Sequence, residues 1–151
     1  MIRRLLATAV AAGLLLLLFS AGQAGAASTD SHLVGGGTAS ISQVAMNVTI
    51  DGSGSASGSF ECLMAGRSGF VLGAFGLAHN MIVHATPTQG SVAGSVVRFS
   101  GPASLILDGR QKMDINIQLR ADVATQSFQL TVVDLVTLPV ETILSGRMSL
   151  N

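Results

Sequence analysis

The chain has 151 residues, 8 Lys+Arg against 8 Asp+Glu, a formal net charge of +0, 48% hydrophobic residues and 11% charged ones. That length fits one domain, and its single Cys closes no intrachain disulfide. The missing positive excess argues against a nucleic-acid partner, and high hydrophobicity with low charge is the reverse of the disordered signature.

Residues 1–26 read as a secretory signal peptide. Arg3 and Arg4 give a positive start, Leu5 to Phe19 is an uncharged aliphatic run, and Ala24-Gly25-Ala26 is a small-x-small cleavage pattern. The run is shorter than the roughly 18 residues a membrane-spanning helix wants, so no span is expected after the signal is removed. An uncleaved N-terminal anchor is the alternative. The Arg pair alone does not make a twin-arginine signal, and no Cys follows the run to carry a lipid. Residues 27–32 are small and polar and are expected to be a flexible mature N-terminus, with one all-β domain over 33–151.

Period-two alternation then recurs along the chain. Strands are expected at 33–40, 43–50, 57–64, 69–77, 79–85, 91–99, 102–108, 112–121, 126–134 and 141–150. In 43–50, Val44, Met46, Val48 and Ile50 share one face; in 112–121, Met113, Ile115, Ile117 and Leu119 do. Phe128, Leu130 and Val132 alternate likewise, Ala103 shares a face with Leu105 and Leu107, and Leu144, Met148 and Leu150 are expected on one face. Asp51-Gly52 and Asp108-Gly109 are hairpin signals, since Gly tolerates the positive φ of a tight turn. Gly52 to Gly58 reads as a mobile glycine-serine connector, Pro87 and Gly90 as a turn, Gly101-Pro102 as a break between two strands, and Pro139 as an edge or loop residue. About eight to ten short strands with one apolar and one polar face predict an antiparallel β-barrel or β-sandwich, because either arrangement shortens or removes exposed edges.

Segment 70–77, FVLGAFGL, is apolar on both faces. It is expected to be a covered central strand or, alternatively, an interaction strand presenting Phe70, Leu72, Phe75 and Leu77 to a partner.

Little catalytic chemistry is legible. Cys62 alternates with Phe60 and Met64 and reads as a buried hydrophobe, the alternatives being an intermolecular disulfide or a reactive thiol. His79 and His84 are an odd spacing apart and fall on opposite strand faces, so no metal site is expected. The Asp51 loop lacks the acidic ligands of a calcium site. No G-x-S-x-G occurs, and Gly35-Gly36-Gly37 has no phosphate-loop context. Asp51, Glu61, Asp108, Asp114, Asp122, Asp134 and Glu141 fall mostly at turns or on wet faces. The lack of Trp and Tyr lowers carbohydrate and nucleic-acid binding and an outer-membrane barrel with aromatic girdles.

Gly35-Gly36-Gly37-Thr38, the Asp51-to-Phe60 turn and strand, Val97-Arg98-Phe99-Ser100-Gly101 and Phe128-Gln129-Leu130-Thr131-Val132-Val133-Asp134 come in an order that resembles small secreted bacterial β-rich domains of the post-COAP type. The resemblance spans roughly residues 33–150 and implies a secreted all-β module without an assigned activity. Leu135 to Pro139 and Cys62 depart from its pattern.

The expectation is therefore a secreted, periplasmic or cell-envelope bacterial protein. It would be a non-catalytic structural or interaction module with an unknown protein or cell-surface partner, without cofactors, and not an enzyme. A small β-barrel binding an apolar ligand is the alternative, and a secreted hydrolase ranks below it.

Overall fold

Side-chain alternation decides which face of each strand leaves water, and the pairing of the strands follows from it. In the computed structural model, which describes residues 30–66 and 80–151, ten β-strands are present. They are β1 (Ser31–Ala39), β2 (Gln43–Ile50), β3 (Ala56–Met64), β4 (Met81–Ala85), β5 (Gln89–Ala93), β6 (Val96–Leu107), β7 (Gln111–Asp122), β8 (Ser127–Val132), β9 (Val136–Thr137) and β10 (Glu141–Leu150). All pairings are antiparallel, in the order β10-β1-β2-β3-β4-β6-β7-β8-β9, with β5 beside β6. β10 also pairs with β8 through Glu141↔Phe128 and Thr142↔Ser127. The ladder path from β10 through β1 to β8 therefore returns to its start.

The expected faces hold on most strands. Val44, Met46, Val48 and Ile50 are buried, as are Ile117 and Leu119, with Met113 and Ile115 packed at the margin. Phe128, Leu130, Val132, Leu105 and Leu107 are buried too. Phe60 and Phe99 meet edge to face, with ring centroids 5.9 Å apart at 62°, a favoured aromatic geometry. Each such ring contributes about 1.5–3 kcal/mol by leaving water.

Several expectations are corrected. The segment 91–99 is not one strand: a turn at Gly94-Ser95 divides β5 from β6. Gly101-Pro102 does not break a strand, because β6 runs through it in unbroken register with β7. Here β6 changes partner, from β5 on one side of the dipeptide to β4 on the other. The crossing segment Thr86–Thr88 comes so close that a Cβ on Gly101 would lie 2.2 Å from the Thr86 carbonyl oxygen. Pro102 needs no N–H there, and its carbonyl accepts from Thr86 N at 3.0 Å. β8 stops at Val132 because Asp134 turns at φ 62, and the short β9 follows.

Leu144 does not share a face with Met148. Thr38 pairs with Ser145 and Ala39 with Ile143, so Leu144 is the extra residue of a β-bulge. Beyond the bulge the parity reverses: Ile143 and Met148 are buried while Leu144 is 69% exposed. β1 begins at Ser31, inside the stretch expected to be flexible, and His32 exchanges backbone hydrogen bonds with Asn151 at 2.9 and 3.0 Å. The glycine-serine loop is tied down rather than loose. The Asp51 carboxylate accepts from Ser53 N, Ser53 Oγ and Ser55 N, and Gly90 N donates to Gly54 O.

Where β8 and β10 diverge, Gln126 bridges them. Its amide Nε2 donates to Met148 O at 3.0 Å and its Oε1 accepts from Met148 N at 2.8 Å, as a neighbouring strand would.

Candidate functional site

Inward positions from every strand except β5 and the short β9 contribute to one buried apolar cluster. It runs from Leu33, Met46 and Phe60 through Met81, Phe99 and Leu119 to Phe128 and Met148. Open grooves lie on the outward face.

There the register builds one continuous row across seven strands. Arg147 pairs with Gly36, Gly36 with Ala45, Ala45 with Glu61, Glu61 with His84, His84 with Ser104 and Ser104 with Asp114. Small residues at Gly36, Ala45, Ser59 and Ser104 leave a trough between larger neighbours. The resulting open groove has a volume of about 610 Å³ and is lined by Asn47, Glu61, His84, Ser104 and Asp114 among others. His84 Nδ1 lies 3.5 Å from Glu61 Oε2, with both side chains about half exposed. A neighbouring row is continued by Asn47, paired with Ser59 and hydrogen-bonded to His32 Nε2 at 2.7 Å.

The order Ser104–His84–Glu61 is that of a nucleophile, a base and an orienting acid. Nothing further completes such a centre. No hydrogen bond joins Ser104 to His84, and the neighbouring backbone N–H groups lie in strand ladders rather than converging as oxyanion donors. Glu61 and Asp114 are three strand spacings apart, about 14 Å between backbones. That is too far for the carboxyl pair of a glycosidase, which wants about 5–9.5 Å. Among the described residues no three His, Cys, Asp or Glu side chains converge to hold a metal. What the groove supplies is the hydrogen-bonding side chains of Asn47, Ser59, His84 and Ser104, with the carboxylates of Glu61 and Asp114 beside them.

Cys62 is fully buried, and burial pushes its thiol up to about 12, with the Glu141 charge adding to the shift and the Ser42 hydroxyl opposing it. A thiol so placed is not a nucleophile at neutral pH.

Glu141 overturns the expectation that carboxylates sit at turns and wet faces, being 1% exposed. Its Oε2 accepts from Ser42 Oγ at 2.8 Å and Ile41 N at 3.0 Å. Its Oε1 is buried without a partner. Beside it, Thr142 N donates to Ser40 Oγ at 3.2 Å. The β1–β2 turn thus clasps the start of β10, where β10 pairs with β8.

Phe70, Leu72, Phe75 and Leu77, His79, and the cleavage residues Ala24 and Ala26 lie outside the described residues. Among the described residues no helix is long and apolar enough to cross a membrane. The outward row was missed by sequence reasoning because it depends on the register of six pairings; only the outward parity of each member was readable.

Compared with known proteins, the chain matches no protein family, no curated protein and no solved structure.

Proposed function

We propose that the chain is an exported, non-catalytic binding module of the bacterial envelope or exterior, built as a closed barrel with a solid interior. It meets a protein or cell-surface partner through the outward trough across β1, β2, β3, β4, β6 and β7. One observation carries this reading. The inward faces are consumed by a single apolar cluster, while the outward face holds an in-register row of small and polar side chains bordering a groove of about 610 Å³. The β8–β10 pairing supports closure, since it leaves neither strand as a full edge. The packing of the described inward side chains into one cluster favours surface binding over the capture of an apolar ligand in a lumen. The likeness to post-COAP-type domains belongs to the same proposal and adds export without adding a reaction.

A photo-crosslinking amino acid at Ser59 or Ser104 is expected to capture an envelope component that the same group at Thr125, in the remote β7–β8 turn, does not. Equal labelling from both places would refute the trough as the binding face. Ester hydrolysis that disappears in Ser104→Ala would refute the non-catalytic reading.

A further inference from the structure

β5, β6, β7 and β8 lie side by side, and a second outward row crosses them in register: Ser91, Arg98, Arg120, Gln129. With Ser100, Gln118 and Thr131 in the adjoining row, it lines a groove of about 450 Å³, within the size range of small-molecule sites. Arg98 and Arg120 are directly paired across β6 and β7. Like charges directly opposite on neighbouring strands destabilise a sheet, so this pair works against the fold that carries it.

The protein does little to neutralise it. Asp122 Oδ2 lies 3.8 Å from Arg120 Nη2, while Asp122 Oδ1 already accepts from Ser95 Oγ and Ala124 N. Arg98 makes no ion pair among the described residues, and no carboxylate is among the residues lining the groove. Two guanidinium forks with only one long ion pair between them, from Arg120 to Asp122, are matched to a planar or tetrahedral oxyanion, which each can hold by two parallel N–H donors. The rest of the lining suits something more than a bare anion. Hydroxyls at Ser91 and Ser100 and the amide of Gln118 both donate and accept, as sugar hydroxyls require, while Gln129 Nε2 already donates to Leu138 O and Thr131 Oγ1 is bonded to Thr137 Oγ1, leaving the Gln129 Oε1 acceptor beside them.

We propose that this groove binds an acidic saccharide, with one carboxylate or sulfate group bridging Arg98 and Arg120 and sugar hydroxyls on the neutral side chains around them. The site is independent of the trough on which the proposed function rests. With no Trp or Tyr to stack a ring on, binding leans on charge and weakens with salt.

The test titrates the protein with digalacturonate, neutral galactobiose and inorganic phosphate at low ionic strength, following backbone amide resonances. Digalacturonate is expected to shift β5–β8 resonances saturably, and to bind at least about tenfold more tightly than either of the others, the scale of one lost charged hydrogen bond. Arg98→Gln and Arg120→Gln should each weaken it about tenfold, while Arg147→Gln, on β10, should not. Arg98→Gln should also unfold no earlier than the parent protein, because it removes a like-charge contact; an equal affinity loss with an unchanged melt supports a ligand role rather than a structural one. No saturable shift, phosphate binding as tight as digalacturonate, or an equal loss in Arg147→Gln would each overturn the proposal.

Discussion

Glu141 offers the most direct test of how the start of β10 is held against the β1–β2 turn. Its Oε2 is the shared acceptor for Ser42 Oγ and Ile41 N, and the residue is 1% exposed. Glu141→Ala removes that acceptor, leaving a buried hydroxyl and a part-buried N–H unpaired at about 1–3 kcal/mol each. It also empties the space of the side chain, at about 0.8 kcal/mol per lost methylene. The expected loss is about 3–7 kcal/mol, a large share of the 5–15 kcal/mol that typically holds a domain. Glu141→Gln keeps an acceptor oxygen for both donors and sets an amide NH₂ where Oε1 already lies unpartnered. It exchanges one unpaired buried group for another and should cost less than about 1.5 kcal/mol. Ser42→Ala removes one of the two donors and should cost about 1–2 kcal/mol, and in a double-mutant cycle with Glu141→Ala its effect should largely vanish. The assay is urea unfolding, where a lower midpoint at constant slope reports lost stability. A Glu141→Ala protein within about 0.5 kcal/mol of the parent, or a Glu141→Gln protein as unstable as Glu141→Ala, would refute the clasp; the 0.5 kcal/mol mark is the usual spread of neutral surface changes.

Three further outcomes are expected. Gly37 has φ 148 and a Cβ there would lie 1.8 Å from Ser145 O, so Gly37→Ala should cost at least about 3 kcal/mol from strain and overpacking; Gly94→Ala, in an open turn with nothing within 4 Å, should cost only about 1–2 kcal/mol, and equal midpoints for the two would contradict the close β1–β10 approach. Asp51, through the Ser53 hydroxyl and the Ser55 and Ser53 N–H groups, and Asp122, through the Ser95 hydroxyl first, are held below the ordinary value of 3.8. A lowered carboxyl stabilises the fold above its unfolded value, and that stability is lost as pH falls through the folded one; unfolding midpoints should therefore drop as pH falls below about 4, and the drop should be shallower in Asp51→Asn and Asp122→Asn. Cys62, buried and pushed up to about 12, should react with a thiol reagent only after denaturation; stoichiometric labelling of the native protein would contradict its burial.

How much of this was legible in the chain depends on how local the cause is. The inward faces of β2, β7 and β8 follow from alternation alone, because a side chain every second residue on one side needs no knowledge of the partner strand. The Asp51 and Asp108 turns were readable for the same reason. The misreadings at Leu144 and at Gly101-Pro102 have causes elsewhere. One is a bulge defined by the register of β10 against β1, and the other a close passage by Thr86–Thr88, distant in sequence. Glu141 was hidden because its partners, Ser42 and Ile41, lie about a hundred residues earlier, so nothing near it announces a buried carboxyl. Cys62 was readable as a buried residue from its neighbours Phe60 and Met64, but its place beside the clasp was not.

The partner switch on β6 also bears on how the trough and the arginine groove are set apart. Residues 103–107 of β6 pair with β4, whereas residues 96–100 pair with β5. Between them Thr86–Thr88 runs beside β6, Thr86 N donating to Pro102 O and Thr88 N to Ser100 O, and lies within 2.2–3.1 Å of where a Gly101 Cβ would be. On one side of the crossing, β6 and β7 present Ser104 and Asp114 beside His84; on the other they present Arg98 and Arg120 beside Ser91. The same two strands thus carry an acidic-flanked trough and a basic one, on either side of a segment whose approach to position 101 leaves no room for a Cβ. Any side chain there must displace Thr86–Thr88, and the displacement reaches both grooves, because Thr86 lines the first and Gln89, the next residue along, lines the second. Gly101→Val should therefore perturb amide resonances at His84 and at Ser91 together, whereas substitutions at Ser104 or Arg98 should stay confined to their own side. Perturbation limited to one groove would mean that the crossing segment moves freely and does not define them both.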